Sequence, residues 1–153
     1  VQGFAVAGGF TLAMGCDFVL ASRTAKFGAM EMANGFPAAV CTPLLAHLVG
    51  PRLGLELARF GEPVGAGRLY EMGLINALAD DDDALPELAD DFIGRLLKLN
   101  PGAVKQTKEA FRAARTMPLD QAMVIGKHLN QLLDAAGNFK AGSAAFVERS
   151  AKT

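Results

Sequence analysis

The sequence predicts an α/β layer followed by an all-helical C-terminal half, and three observations carry that expectation. Up to about residue 79, short apolar runs alternate with helical periods, and the glycines fall at the boundaries between them. From Leu85 onward the large apolar residues return at spacings of three and four, which marks amphipathic helices. Between the two stretches lies the acidic run Asp80-Asp81-Asp82-Asp83, read as a solvated linker. With 153 residues, 51% hydrophobic and 20% charged, the chain is long enough to bury a substantial core.

Val1 to Ala7 reads as a strand entered partway along. It has no initiator methionine, basic leader or small-residue cleavage site, so further chain is expected before it. Gly8-Gly9 opens a helix that runs through Thr11-Leu12-Ala13-Met14. Phe18 to Ala21 is the second strand, and a third ends at Lys26-Phe27-Gly28. Pro43 and Pro51 lie near helix starts, where proline is tolerated, and Asn100-Pro101 opens a later helix in the same way. Beyond Leu85, Leu88, Phe92, Leu96 and Leu97, then Val104 and Phe111, then Met123 to Leu133, define three or four helices. No internal repeat is found.

Composition excludes several functions. Fifteen basic and sixteen acidic residues leave a net charge of −1, which offers a polyanion no footprint, so nucleic acid is not an expected partner. Asp17, Arg23 and Lys26 interrupt the most apolar region, so no membrane span is expected. Cys16 and Cys41 lack zinc-site spacing and are too few for a disulfide framework, which points to a reducing compartment and hence the cytoplasm. His47 and His128 have no HExxH context, so no metal is expected. No GxSxG surrounds Ser22, Ser143 or Ser150, and no complete GxGxxG or Walker A loop occurs.

The chemistry that remains centres on Gly8-Gly9. A strand that runs into two glycines and then a helix presents unpaired N–H groups at a helix start. Glycine lets a ligand oxygen approach the amide, and a thioester enolate is an oxyanion that such a donor would stabilise. Plain close packing of strand and helix is the commoner reason for such a pair.

The segment Val1-Gln2-Gly3-Phe4-Ala5-Val6-Ala7-Gly8-Gly9-Phe10-Thr11-Leu12-Ala13-Met14-Gly15-Cys16-Asp17 resembles the enoyl-CoA hydratase/isomerase (crotonase) superfamily around its second oxyanion-hole amide, with Gly8 at that position. Further matches follow in order. They are Ala25-Lys26-Phe27-Gly28-Ala29-Met30-Glu31, Gly35-Phe36-Pro37, Leu48-Val49-Gly50, Gly61-Glu62-Pro63-Val64-Gly65-Ala66 and Met72-Gly73-Leu74-Ile75. Asn100-Pro101, Thr107-Lys108 and Gly142 to Arg149 carry the similarity to the end of the chain.

The resemblance implies the C-terminal part of a crotonase-like ββα spiral over residues 1–79 and a helical C-terminal trimerisation region over residues 84–153. It implies an acyl-CoA thioester as substrate, with coenzyme A part of that substrate and no separate cofactor, and assembly as a homotrimer or hexamer. Glu31 falls on the second of the two glutamates that the family's hydratases use for acid/base work; desolvation raises carboxyl pKa values toward neutrality, as such work requires. Gly8, Glu31 and Thr11 are thus the candidate catalytic residues, and Gly9 lies beside the bound substrate. Phe146 and Arg149 fall where an aromatic and a basic group of the last helix approach CoA, although Phe146 also suits helix-face packing.

Two departures matter. Thr11 stands where two-glutamate hydratases carry a glutamate; a hydroxyl can orient water or substrate but cannot take a proton near neutral pH. Members with only the second glutamate resemble double-bond isomerases, so isomerase stands beside hydratase, and thioesterase or decarboxylase chemistry shares the same oxyanion logic. Ala38-Ala39-Val40-Cys41 replaces the glycine-rich turn typical after Pro37, with one residue deleted before it. Among Ala, Val and Pro, Cys41 reads as a buried structural thiol. Lys105, Lys108, Arg112 and Arg115 around Glu109 form a basic helix face, read as solvated or as a contact for CoA phosphates. The competing reading of the chain is a non-catalytic assembly module that packs its apolar C-terminal helices against sister subunits.

Overall fold

The computed structural model describes residues 1–135 and 137. They form two compact units, Val1–Ile93 and the residues from Gly94 onward.

The first unit is built on two small sheets. β1 (Phe4–Val6), β3 (Lys26–Gly28) and β4 (Val64–Gly65) form one in the order β1-β3-β4; β2 (Leu20–Ser22) and β5 (Ala77–Ala79) form the other. Successive strands β1, β2 and β3 alternate between the sheets. Strands that meet are therefore separated by a full circuit of chain, which makes β1/β3 and β2/β5 parallel, as crossover connections require. β4 returns antiparallel to β3, with Phe27 opposite Val64. These strands are shorter than the apolar runs that signal them: Val1–Ala7 contributes only Phe4–Val6, and the Phe18–Ala21 run becomes Leu20–Ser22. β4 and β5 were not expected from the sequence, because two- and three-residue strands are too short for alternation to register.

Between the strands lie α1 (Gly8–Met14), a 3-10 turn (Met32–Asn34), α2 (Cys41–Leu48), α3 (Pro51–Phe60) and α4 (Ala66–Glu71). Pro51 occupies the first turn of α3, where its missing N–H would have had no partner. α1 is pinned to the sheet by Phe10, which meets Phe27 of β3 edge to face at 6.2 Å, both rings fully buried. Each such side chain contributes about 1.5–3 kcal/mol by burial, and the ring pair about 0.5–1.5 kcal/mol more. α2 and α3 cross closely at Gly54, where an added Cβ would lie 3.2 Å from the Leu45 carbonyl oxygen.

The Asp80–Asp83 run is an exposed loop fastened to β2. Asp82 accepts from the Thr24 hydroxyl at 2.6 Å, and the Thr24 and buried Ser22 hydroxyls share a 2.8 Å bond. These hydroxyls hold the Asp82 carboxyl below its usual range, Ser22 contributing most. Asp81 accepts from Ala84 N at 2.8 Å, ahead of α5 (Leu85–Leu97).

α5 continues past Ile93, and the second unit adds α6 (Pro101–Thr116) and α7 (Leu119–Ala135), which pack on each other. Asn100 caps α6 by accepting from Ala103 N at 3.0 Å, as Asn-Pro before a helix predicts. Ala122 is the one buried apolar residue of α6 and α7, whereas Phe111, Leu119, Met123 and Leu132 are exposed. No described helix is long and apolar enough to cross a membrane.

Candidate active site at the ends of the first and third strands

β1 and β3 run parallel and stop together, with Val6 opposite Gly28. The Ala7 N–H donates to the Gly28 carbonyl at 2.8 Å and closes the ladder. Beyond that bond one chain turns into α1 and the other reaches Glu31 three residues later. Gly8 and Glu31 therefore leave the sheet at the same edge, the carboxyl end of a parallel pair, where α/β sheets receive ligands.

Ala7 makes the turn with φ 50° and ψ −121°, the sole positive-φ residue other than glycine among those described. Such backbone costs on the order of 1–3 kcal/mol and persists only where its surroundings fix it. Here the Gly28 bond fixes one side and the Thr11 N–H, which donates to the Ala7 carbonyl at 3.1 Å, fixes the other. No side chain caps α1. Gly8 and Gly9 are exposed, and an added Cβ on either would meet no atom within 4 Å. The first amides of α1 thus stand in open space at a helix start, where N–H groups have no intrahelical acceptor.

Glu31 sits at the head of the 3-10 turn, and its carbonyl accepts from both Asn34 N and Phe36 N at 3.0 Å. Gly28 and Gly61 hold the turn from either side. A Cβ on Gly28 would lie 2.8 Å from the Glu62 carbonyl oxygen, and one on Gly61, whose φ is +66°, would lie 2.9 Å from Ala33 N. The Glu31 side chain is half-buried, and its Oε2 is buried without a hydrogen-bond partner, the one such side-chain oxygen or nitrogen among the described residues. Buried polar atoms are normally paired, so an unpaired carboxylate oxygen marks a place for a donor from outside the chain.

Thr11, in the first turn of α1, is half-buried, and α1 packs on α2, whose first residue is Cys41. The Cys41 thiol is fully buried. Burial pushes its pKa up. The thiol is therefore neutral and not the nucleophilic thiolate. Among the described residues there is no group of three or more His, Cys, Asp or Glu that could hold a metal ion. His47 and His128 are exposed.

Gly8 and Glu31 thus leave the sheet at one edge, with Gly9 and Thr11 following in α1. Phe146 and Arg149 lie outside the described residues. Sequence reading placed Cys41 in the core but missed that α2, which it opens, packs on α1. The available signal was the i, i+4 pair Cys41 and Leu45, which marks the buried face of α2.

A family model described as enoyl-CoA hydratase/isomerase matches residues 1–153. The crotonyl-CoA hydratase of Syntrophomonas wolfei is 35% identical over 150 residues, covering 97% of this chain and 57% of that protein. A solved enoyl-CoA hydratase from Mycobacterium tuberculosis superposes with a TM-score of 0.89 at 30% identity, over 96% of this chain and 58% of that one. Another, from a Polaromonas species, gives 0.88 at 32% identity, over 96% and 57%. The α/β architecture is therefore crotonase-like, and the chain spans under two thirds of the length of these relatives.

Proposed function

Because the chain belongs to the enoyl-CoA hydratase/isomerase family, we propose that it forms the acid/base half of an acyl-CoA site. The Gly8 N–H polarises the thioester carbonyl, and Gly9 leaves room for the ligand to approach. Glu31 removes a proton from, or returns one to, the α or γ carbon of the resulting enolate. Thr11 orients water or substrate and carries no proton. The observation that supports this most is the buried, unpartnered Glu31 Oε2 at the sheet edge that also carries the uncapped amides of Gly8 and Gly9. One carboxylate favours double-bond isomerisation, whereas the names of the relatives favour hydration. Coenzyme A belongs to the substrate, with Phe146 and Arg149 its proposed contacts; no further cofactor or metal is required. The setting we propose is cytoplasmic, away from nucleic acid and membrane.

The test is isothermal titration with acetoacetyl-CoA, an enolisable thioester, beside a Gly8→Pro variant. Proline is tolerated at the first helical position and removes the N–H. Binding to the natural chain and its loss in the variant are expected. Equal binding by both overturns the role of Gly8, and binding by neither overturns the site.

A second reading has its own observation. Leu97, Leu119 and Met123 are 79%, 76% and 69% exposed, an apolar surface suited to sister subunits. The chain would then act as the assembly module of a homotrimer or hexamer. A trimer by light scattering that binds no acyl-CoA favours this reading over the enzymatic one, and a monomer argues against it.

A further inference from the structure

The Glu31 carboxylate has an oxygen, Oε2, that is buried without a hydrogen-bond partner, so no bond at that atom sets its direction. Its aim depends on the backbone that carries it and on what packs around it. Glu31 has φ −56° and ψ −42° at the head of the 3-10 turn. Two peptide planes define that pair of angles. The plane ahead of the Glu31 Cα contains the Met30 carbonyl, and the plane after it contains the Glu31 carbonyl. Because each peptide unit is rigid, a carbonyl held in one direction fixes its whole plane.

One residue holds both carbonyls. The Asn34 side chain donates from Nδ2 to the Met30 carbonyl at 3.0 Å, and the Asn34 backbone N–H donates to the Glu31 carbonyl, also at 3.0 Å. Gly35, with φ 76°, then turns the chain so that the Phe36 N–H returns to the Glu31 carbonyl as a second donor at 3.0 Å. Asparagine side chains commonly bond a carbonyl three or four residues back. What matters here is which carbonyl: it belongs to the peptide whose rotation would change φ of Glu31.

We propose that Asn34 is a positioning residue for Glu31, bracing the peptide planes on either side of its Cα and so aiming the carboxylate at the substrate carbon. This rests on the reading of Glu31 as the acid/base group and deepens it. Asn34 is exposed and acts only through the backbone of the turn.

The brace is tested by hydrogen exchange of the Phe36 amide in the full chain. Asn34→Ala removes one exposed hydrogen bond, which should speed exchange at Phe36 by roughly three- to tenfold and leave the amides of α6 unchanged. Asn34→Asp keeps the shape but cannot donate when ionised, and should match alanine. A Phe36 amide unmoved by both substitutions overturns the brace and the proposal with it.

Turnover of 2-enoyl- and 3-enoyl-CoA shows whether the brace serves Glu31. Both variants should lower kcat by roughly tenfold, short of the roughly 10²-fold that about 1 Å of misplacement can cost, with KM and acetoacetyl-CoA binding unchanged. In a Glu31→Gln background, where the carboxylate has already gone, Asn34→Ala should cost nothing further. A general structural defect would instead raise KM or slow both backgrounds alike, and either result overturns the role. If the natural chain neither binds nor turns over acyl-CoA, the acid/base reading of Glu31 fails and the positioning role falls with it, whereas an active chain with an unmoved Phe36 amide overturns the brace alone.

Discussion

The two units both expose large apolar residues, but they differ in what they bury. Every buried apolar residue among those described lies before Ile93, with the single exception of Ala122. In the first unit, short strands and helices close around Phe10, Phe27, Leu45 and Leu69, and the polar chemistry sits on the rim of that core. In the second, α6 and α7 carry equally clear helical periods but leave Phe111, Leu119 and Met123 open. Periodicity alone makes an amphipathic face; only a partner buries it, and helices draw most of their stability from that burial. The site therefore rests on the unit that buries a core, although Phe4, Leu12, Phe36, Val40 and Phe60 of that unit are exposed too.

That contrast can be broken by substitution. The largest effect is expected from Phe27→Ala, which empties the centre of the first unit and removes the ring that holds α1. A loss of about 3–5 kcal/mol in denaturant unfolding is expected, and a loss below about 1 kcal/mol would mean the core is not where stability resides. Next is Gly61→Ala. It forces a side chain into left-handed backbone and against Ala33 N. A cost of roughly 1–3 kcal/mol is expected, accompanied by weaker acetoacetyl-CoA binding because the Glu31 turn must shift. Unchanged binding would show that the turn does not position the carboxylate.

Smaller effects sharpen the comparison from the other side. In the second unit, local caps should matter more than core. Asn100→Ala should lower stability by about 1 kcal/mol, visible as lost helicity by circular dichroism on mild heating. Smallest is the loop that ties β5 to β2. The folded pKa of Asp82 lies below its ordinary 3.8, so its contribution is fully present above that value and is lost as pH falls through the folded pKa. Acid unfolding of the natural chain should therefore include a step below about pH 4 that Asp82→Asn abolishes. An acid profile identical in the variant would show that the hydroxyl contacts are not populated in solution.

Much of this was legible in the sequence, for identifiable reasons. α1 begins at Gly8 and ends at Met14 as expected, because a glycine pair and an apolar period both mark it. Asn100-Pro101 announces its helix through the chemistry of capping. Val64–Gly65 and Ala77–Ala79 were invisible as strands, since their structure comes from pairing with β3 and β2 and not from their own pattern. Within the site, Gly8 and Glu31 were chosen from family positions, but nothing local indicated that Ala7 would carry positive φ or that one oxygen of Glu31 would be left unpaired. Cys41 was hardest. Its burial follows from its apolar neighbours, whereas the elements that surround it depend on how α2 packs on α1, which is a property of the tertiary fold.

The central claim is that Glu31 moves the proton, and the direct measurement is kcat for 2-enoyl- and 3-enoyl-CoA with Glu31→Gln, a variant of nearly unchanged shape that cannot act as a base. A fall of about 10²- to 10⁴-fold, with acetoacetyl-CoA binding retained, is the expected result. Turnover at the natural rate would contradict the claim and assign the chemistry to another group.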